Sequence, residues 1–380
     1  MKENINFDAE NKYEFKIGER MVGDGHPVFI IAELSGNHHH DINIAKKLID
    51  AAREAGVDAV KLQTYTPHTI TLKSDKEYFQ IKADGAWKGQ TLYSLYEKAY
   101  TPWEWHKELK EYAGSKGLMF FSTPFDPTAV DFLENLGVLF YKVASFEIVD
   151  IPLLKKIAET KKPVIISRGM STLDEIQLAL DTLRENGSTD VALLHCVSSY
   201  PANPSEMNLS SIPDIKKKVD VMSGLSDHSL DPAVSTLSVL LGASIIEKHI
   251  ILRRKDGGPD AEFSIEPHEF ADLVSRIRKI ESIKNPGEKE ELIRRTPNAF
   301  EIIGHPTYEP GENESRNIVF RKSIFIAKDV KKGDIFNKKN IRSVRPGHGL
   351  PPKHYEEILG KKATRDIEFG EPLDWGMVER

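Results

Sequence analysis

Over the first three quarters of the chain, apolar residues fall in short continuous runs, each followed by a polar cluster and then by helical spacing. The runs at 28–32, 59–62, 118–121, 139–143, 164–166, 191–194, 219–222 and 243–246 are apolar on both faces, the pattern of strands buried in a parallel sheet. Between them 44–55, 103–115, 127–136, 152–159, 172–185 and 231–241 read as helices, and 267–283 closes the series. Punctuation agrees: Gly56 stops the first helix, while Pro232 opens and Gly242 ends the one before the last strand. Eight strands alternating with helices over about 250 residues predict an α/β fold, a (β/α)8 TIM barrel at 28–283. A doubly wound sheet would carry a glycine-rich phosphate loop after its first strand, and IAELSGNHHH has no G-x-G-x-x-G.

Outside the barrel the pattern changes. Residues 1–27 read as an N-terminal extension with room for a hairpin, and 65–100 as a long polar excursion. Residues 284–314 read as a linker, its first part rich in Pro, Gly and charge and holding one helix. A flexible coil over 284–310, roughly 27 residues, would span some 25–30 Å. Residues 315–380 hold short turn-then-apolar pieces (IFIAKDVKKGDIF, IRSVRPGHGLPP, KKATRDIEFGEPL) and predict a small β-rich domain.

Composition narrows the function. With 29% charged and 39% hydrophobic residues, the 380-residue chain has the balance of a soluble globular protein. No apolar run approaches the roughly 20 residues of a membrane helix. The charged N-terminus lacks the apolar core of a signal peptide, and Cys196 has no second cysteine to pair with; both fit a reducing cytoplasm. A net charge of −6 argues against nucleic acid as the main partner.

In a barrel of this kind chemistry sits where the strands end. The residues there are Glu33; Lys61 and Gln63; Ser122 and Thr123; Lys142, Ser145 and Glu147; Ser167; His195, Ser198 and Tyr200; Ser226 and His228; and His249. Two lysines with several hydroxyls describe a pocket for an oxyanion. His228 and His249 follow neighbouring strands, and two neutral imidazoles converging from adjacent strand ends suit a divalent metal ion. Either histidine alone reads better as a satisfied strand-end residue; the pair, followed by Gly257-Gly258-Pro259-Asp260, reverses that. A barrel lysine would equally serve a Schiff-base aldolase, and the C-terminal domain alone would suit a non-catalytic carbohydrate- or ice-binding protein. In His38-His39-His40 the last two read as solvent-exposed, with Asn37 and His38 shaping the floor near Glu33. His195 reads as a packed, hydrogen-bonded residue and not a ligand.

The motifs IAELSGNH, VKLQT, FSTPFD, YKVAS, SRGMSTLDEI, LHCVSSYP, GLSDHS, EKH and GGPDAEFSIEP follow one another in an order that resembles the sialic acid synthase family. RKSIFIAKDVKKGD with IRSVRPGHG resembles the antifreeze-like SAF domain those enzymes carry. AELSGNH, FDPTAVDFLE and GGPDAEFSIEP are most similar to the pseudaminic acid synthase branch; sialic acid synthases more usually read GPDH where this chain has Gly-Pro-Asp-Ala.

The resemblance implies condensation of phosphoenolpyruvate with the open-chain aldehyde of an N-acetylated amino sugar, releasing phosphate. In the pseudaminic branch that sugar is 2,4-diacetamido-2,4,6-trideoxy-L-altrose; N-acetylneuraminic and legionaminic acid synthases take others. It also implies that His228 and His249 hold a divalent metal, manganese before magnesium or cobalt, beside Glu33, which would orient or deprotonate the attacking water. Lys61, Thr123, Lys142, Ser145, Ser167, Ser198 and Ser226 map onto phosphoenolpyruvate-binding positions, and Gln63, Glu147, Tyr200 and Asp260 onto sugar-binding ones. Ser198 stands where relatives often have Asn, and Arg168 where they often have Thr, which weakens those two correspondences. Finally, the resemblance implies a domain-swapped homodimer in which Arg345, or alternatively Arg321, caps the partner's site.

Overall fold

The computed structural model describes residues 13–82 and 89–379. Its centre is an eight-stranded parallel barrel made of β3 (Phe29–Glu33), β4 (Ala59–Thr64), β5 (Met119–Pro124), β6 (Tyr141–Val143), β7 (Val164–Ser167), β8 (Val191–His195), β9 (Met222–Asp227) and β10 (Ile245–His249). The hydrogen-bonded order is β5-β4-β3-β10-β9-β8-β7-β6, and β5 lies against β6 to close the ring. The expected fold class is therefore present. Ahead of it, β1 (Glu14–Ile17) and β2 (Arg20–Gly23) pair as an antiparallel hairpin. Phe15, Ile17 and Val22 of the hairpin pack with Phe29, Phe140, Ile165 and Met222, plugging the end where the strands begin. The active end is the other one.

The helices form where period and caps agree. In α1 (Ile42–Ala55) the Asp41 carboxylate accepts the Asn43 N–H, and Gly56 ends the helix in the left-handed region at φ 85°. Six more connect the strands: α4 (Trp105–Ser115), α5 (Pro127–Leu136), α6 (Ile151–Ala158), α7 (Leu173–Glu185), α8 (Ser211–Val219) and α9 (Pro232–Leu240). α10 (Pro267–Ser282) packs back onto α1 and α9. α8 has no counterpart among the expected helices: Pro213 and three successive lysines mask the buried stripe of Ile212, Ile215 and Val219. The run 219–222 is correspondingly misplaced as a strand. Val219 ends α8, Asp220 turns the chain at φ 52°, and β9 continues through Ser223, Gly224, Ser226 and Asp227. Gly224 is needed there, since a Cβ would lie 2.5 Å from the Ile245 carbonyl oxygen.

Two expectations outside the barrel also change. The excursion after β4 is not simply polar: it folds as α2 (Pro67–Ile70) and α3 (Leu92–Ala99) and buries Tyr65, Ile70, Ile81, Leu92 and Tyr96 with Phe125. The stretch after α10 is no free coil. Helices α11 (Pro286–Arg295) and α12 (Ala299–Ile303) bury Ile293, Ala299 and Ile302 in the barrel's outer core, because a few apolar residues at helical spacing suffice to dock them. The short α13 (Glu312–Ser315) then leads to the C-terminal domain. That domain pairs β11 (Ser323–Ile326) antiparallel with β12 (Ile341–Val344), over a core of Ile324, Ile326, Phe336, Ile341, Ile358 and Leu373. It also holds α14 (Tyr355–Ile358). Among the described residues, no helix is long and apolar enough to cross a membrane.

The C-terminal domain closes over the barrel mouth of its own chain. Phe325 and Val344 pack on Leu72 and Phe79 of the excursion. Lys322, fully buried, lies 2.8 Å from Asp150 and also donates to the Phe125 carbonyl. Burying this charge is tolerable only because both partners are present.

Candidate active site

Under this cap lies a cavity of about 310 Å³ at the C-terminal ends of the strands. Of the residues singled out in the sequence, Lys61, Gln63, Lys142, Ser145, Ser167, Tyr200, Ser226, His228, His249, Asp260 and Arg345 line it. Four others stand one contact behind. Glu33 is 2.6 Å from Lys61 and accepts from Gln63 at 3.1 Å. Thr123 accepts from Lys61 at 3.2 Å, Ser198 meets Ser145 at 2.8 Å between hydroxyl oxygens, and Glu147 meets Arg345.

The strand register explains the convergence. Glu33 stands opposite His249 on one side and Lys61 on the other, and Ser226 stands opposite Glu247. Glu247 was not among the expected site residues, although the two-residue period of a strand that turns His249 inward also turns Glu247 inward. It sits between the lysines, 3.6 Å from Lys61 and 3.7 Å from Lys142. Burial raises the Glu33 carboxyl to about 7, against the pull of Lys61. Burial opposes the charge on Lys61 too, but Glu247 and Glu33 more than offset it and raise its pKa. Lys142 goes the other way: burial lowers it, with Glu247 resisting. Two lysines and two glutamates thus share one buried floor. Lys142 also donates to Ser167 at 2.6 Å, so a cation and hydroxyls face one point.

His228 donates through Nδ1 to the Val197 carbonyl at 3.1 Å, which leaves Nε2 as an acceptor. Among the described residues the buried His249 has an Nδ1 without a hydrogen-bond partner, and the two rings are 5.5 Å apart between centroids. Burial lowers His228 to about 4 and pushes His249 well below the usual histidine range, so both are neutral and have lone pairs to offer. Their chemistry fits a divalent ion. Among the described residues no group of three or more His, Cys, Asp or Glu forms a ready ligand set. The two imidazoles are thus what this end of the barrel offers such an ion.

The upper wall is apolar. Tyr65, Ile70, Leu95, Tyr96 and Ala99 come from the excursion, Phe125 and Phe146 from barrel loops, and Phe320 from the approach to the cap. The excursion supplies most of this wall, and its polar character hid it. Ala261 does not line the cavity, whereas its neighbours Pro259, Asp260 and Phe263 do. Arg345 enters from above: its guanidinium donates to Glu147 at 2.6 and 3.1 Å and to the Tyr96 hydroxyl at 3.2 Å, and lies 4.8 Å from the Phe146 ring centroid. Arg321 instead reaches Glu175 and the Met170 carbonyl and does not line the cavity.

The other conspicuous residues lie off the site. His38 is buried against Thr101 and Trp105, while His39 and His40 are exposed. Asn37 ties its loop to Ile250 and Ser264. His195 is packed and hydrogen-bonded, to Met207 and Arg168. Arg168 itself faces His195 and the Tyr308 ring, away from the cavity.

Residues 48–289 match the NeuB family and residues 321–379 the SAF domain. A pseudaminic acid synthase of Campylobacter jejuni is 42% identical over 346 residues, 91% of this chain and 95% of its own. An N,N'-diacetyllegionaminic acid synthase of the same species is 37% identical, over 90% of this chain and 97% of its own. The crystal structure of a spore coat polysaccharide biosynthesis protein from Bacillus subtilis superposes with a TM-score of 0.80 at 32% identity, over 97% of this chain and 99% of its own. With the family match spanning well over half of its length, the chain belongs to the NeuB family and ends in a SAF domain.

Proposed function

We propose that the protein is a phosphoenolpyruvate-condensing transferase that makes a nonulosonic acid, and that its sugar substrate is 2,4-diacetamido-2,4,6-trideoxy-L-altrose. The observation that carries this reading is the division of the cavity into a charged floor and an apolar upper wall. Phosphoenolpyruvate brings a phosphate and a carboxylate, which suit Lys61, Lys142 and the hydroxyls of Ser145, Ser167 and Ser226. A trideoxy sugar with two acetamido groups presents methyl groups where N-acetylmannosamine presents hydroxyls. Such a face suits Ile70, Leu95 and Ala99 and would leave fewer sugar hydroxyls unpaired than a polar hexose would.

In the reaction, C3 of the enol phosphate forms a bond to the aldehyde carbon, whose oxygen takes up a proton. Water adds at C2, and phosphate leaves. Lys142 and its serines hold the phosphate, and Gln63, Asp260 and Arg345 fix the sugar over it. Glu33, whose carboxyl is raised to about 7 and which contacts the cavity through Lys61 and Gln63, would accept near neutral pH the proton that the adding water gives up, by way of Lys61. A divalent ion bound by His228 and His249 would supply Lewis acidity at the aldehyde oxygen. The cap's exchange between two protomers belongs to the same reading, since Arg345 completes the site whichever chain delivers it.

The test is substrate preference. A kcat/KM at least about a hundredfold higher for the trideoxy altrose than for N-acetylmannosamine is expected, the discrimination of a few misplaced polar groups. A preference for N-acetylmannosamine, or for the sugar precursor of legionaminic acid, would replace the substrate while leaving the reaction class standing.

A further inference from the structure

The segment that introduces the cap grips the backbone of two residues of the barrel mouth, each from both sides. Glu314, buried on the short α13, accepts the Ser198 N–H at 2.6 Å and the Met170 N–H at 3.2 Å through one carboxylate oxygen. Three residues on, the Asn317 amide donates to the Ser198 carbonyl at 2.7 Å. Arg321 donates to the Met170 carbonyl at 2.5 Å and pairs with Glu175 at 2.9 Å. Both residues thus have their N–H and C=O taken by one stretch of chain, which runs straight on into β11.

These two residues carry the phosphate cradle. Ser198 meets Ser145 at 2.8 Å between hydroxyl oxygens, and Ser145 lines the cavity. Gly169, next to Met170, is packed so closely that a Cβ there would lie 2.1 Å from the Ser198 hydroxyl and 3.2 Å from the Ser145 Cβ. Its N–H is held by the Cys196 sulfur at 3.2 Å. The loops after β6, β7 and β8 therefore interlock, and a shift in either gripped residue displaces the serine hydroxyls.

We propose that Glu314 is a positioning residue that holds the loops after β7 and β8 in register, and so links docking of the cap to the affinity for phosphoenolpyruvate. The inference rests on the proposed function, because it takes phosphoenolpyruvate to occupy this cradle. Glu314 lines no part of the cavity. Its effect passes through Ser198 and Gly169. Linkage makes the coupling reciprocal: a ligand that is tighter with the cap docked must also tighten the docking.

The experiment measures phosphoenolpyruvate binding by calorimetry in the full-length protein, with KM for each substrate alongside. Losing hydrogen bonds to a carboxylate, Glu314→Ala is expected to weaken phosphoenolpyruvate binding by about ten- to a hundredfold, with KM for the sugar changed less than about threefold. Glu314→Gln keeps an acceptor for both loop amides and is expected to stay within about threefold of the wild type. Asn317→Ala, which removes only the grip on the Ser198 carbonyl, is expected to show a smaller loss of the same kind and serves if Glu314→Ala does not fold. In wild type, phosphoenolpyruvate should slow amide exchange across 311–321, and in Glu314→Ala it should not. Unchanged affinity in folded Glu314→Ala or Asn317→Ala, or an equal rise in KM for both substrates, would overturn the inference. A wild-type protein that binds no phosphoenolpyruvate would instead defeat the reading beneath it.

Discussion

Replacing His228 or His249 by alanine is expected to lower condensation by on the order of a thousandfold, about 4 kcal/mol of lost transition-state stabilisation, while the protein stays folded. The expectation follows from where the rings stand. They are buried at the ends of adjacent strands, neutral, with one Nδ1 committed to a carbonyl and the other, among the described residues, without a partner. Neither belongs to the apolar barrel core, so circular dichroism and the thermal midpoint should change little. The same geometry predicts that a chelator abolishes turnover and that Mn²⁺ or a similar divalent ion restores it. Full turnover in a preparation shown by elemental analysis to be metal-free would remove the two histidines from the metal assignment.

The second large effect is expected at Arg345. Truncation to alanine leaves Glu147 buried with its charge unpaired, a loss of the order of 3–5 kcal/mol that should appear as roughly a two-hundred- to five-thousandfold fall in kcat/KM. The variant also separates two placements of the cap. Within one chain the cap covers its own barrel, held by Lys322–Asp150 and Arg345–Glu147. An exchanged dimer would present the same groups to the neighbouring barrel. If protomers exchange caps, mixing Arg345→Ala with His228→Ala under subunit exchange should restore up to about a quarter of wild-type activity, from the one intact site of each heterodimer. Proven heterodimers with no recovery would mean that the cap works on its own barrel.

Strand-and-helix alternation made the barrel legible because buried parallel strands are apolar on both faces. The same logic cut the strands short at the active end. β9 and β10 carry Ser226, Glu247 and His249 toward the barrel interior and Asp227 toward α9, where it pairs with Lys248, and at both places burial of paired polar groups overrides any hydrophobic pattern. Most of the floor lies just past the end of each apolar run. Glu247 escaped because it stood within what looked like a terminal polar cluster. The excursion and α8 escaped for a different reason: their apolar residues are sparse and separated by Lys, Pro and Asp, and only tertiary contact shows that Tyr65, Ile70 and Tyr96 form a wall. Glu314 gave no local signal, since its partners are backbone amides more than a hundred residues away.

The central claim is that this cavity joins phosphoenolpyruvate to an amino-sugar aldehyde. Its most direct test is to incubate the purified protein with phosphoenolpyruvate, 2,4-diacetamido-2,4,6-trideoxy-L-altrose and a divalent metal ion, following phosphate colorimetrically and the acid product by mass spectrometry. The account predicts one phosphate released for each nonulosonic acid formed, and none when the sugar is left out. Phosphate release that ignores the sugar, or no product from any N-acetylated amino sugar, would contradict it.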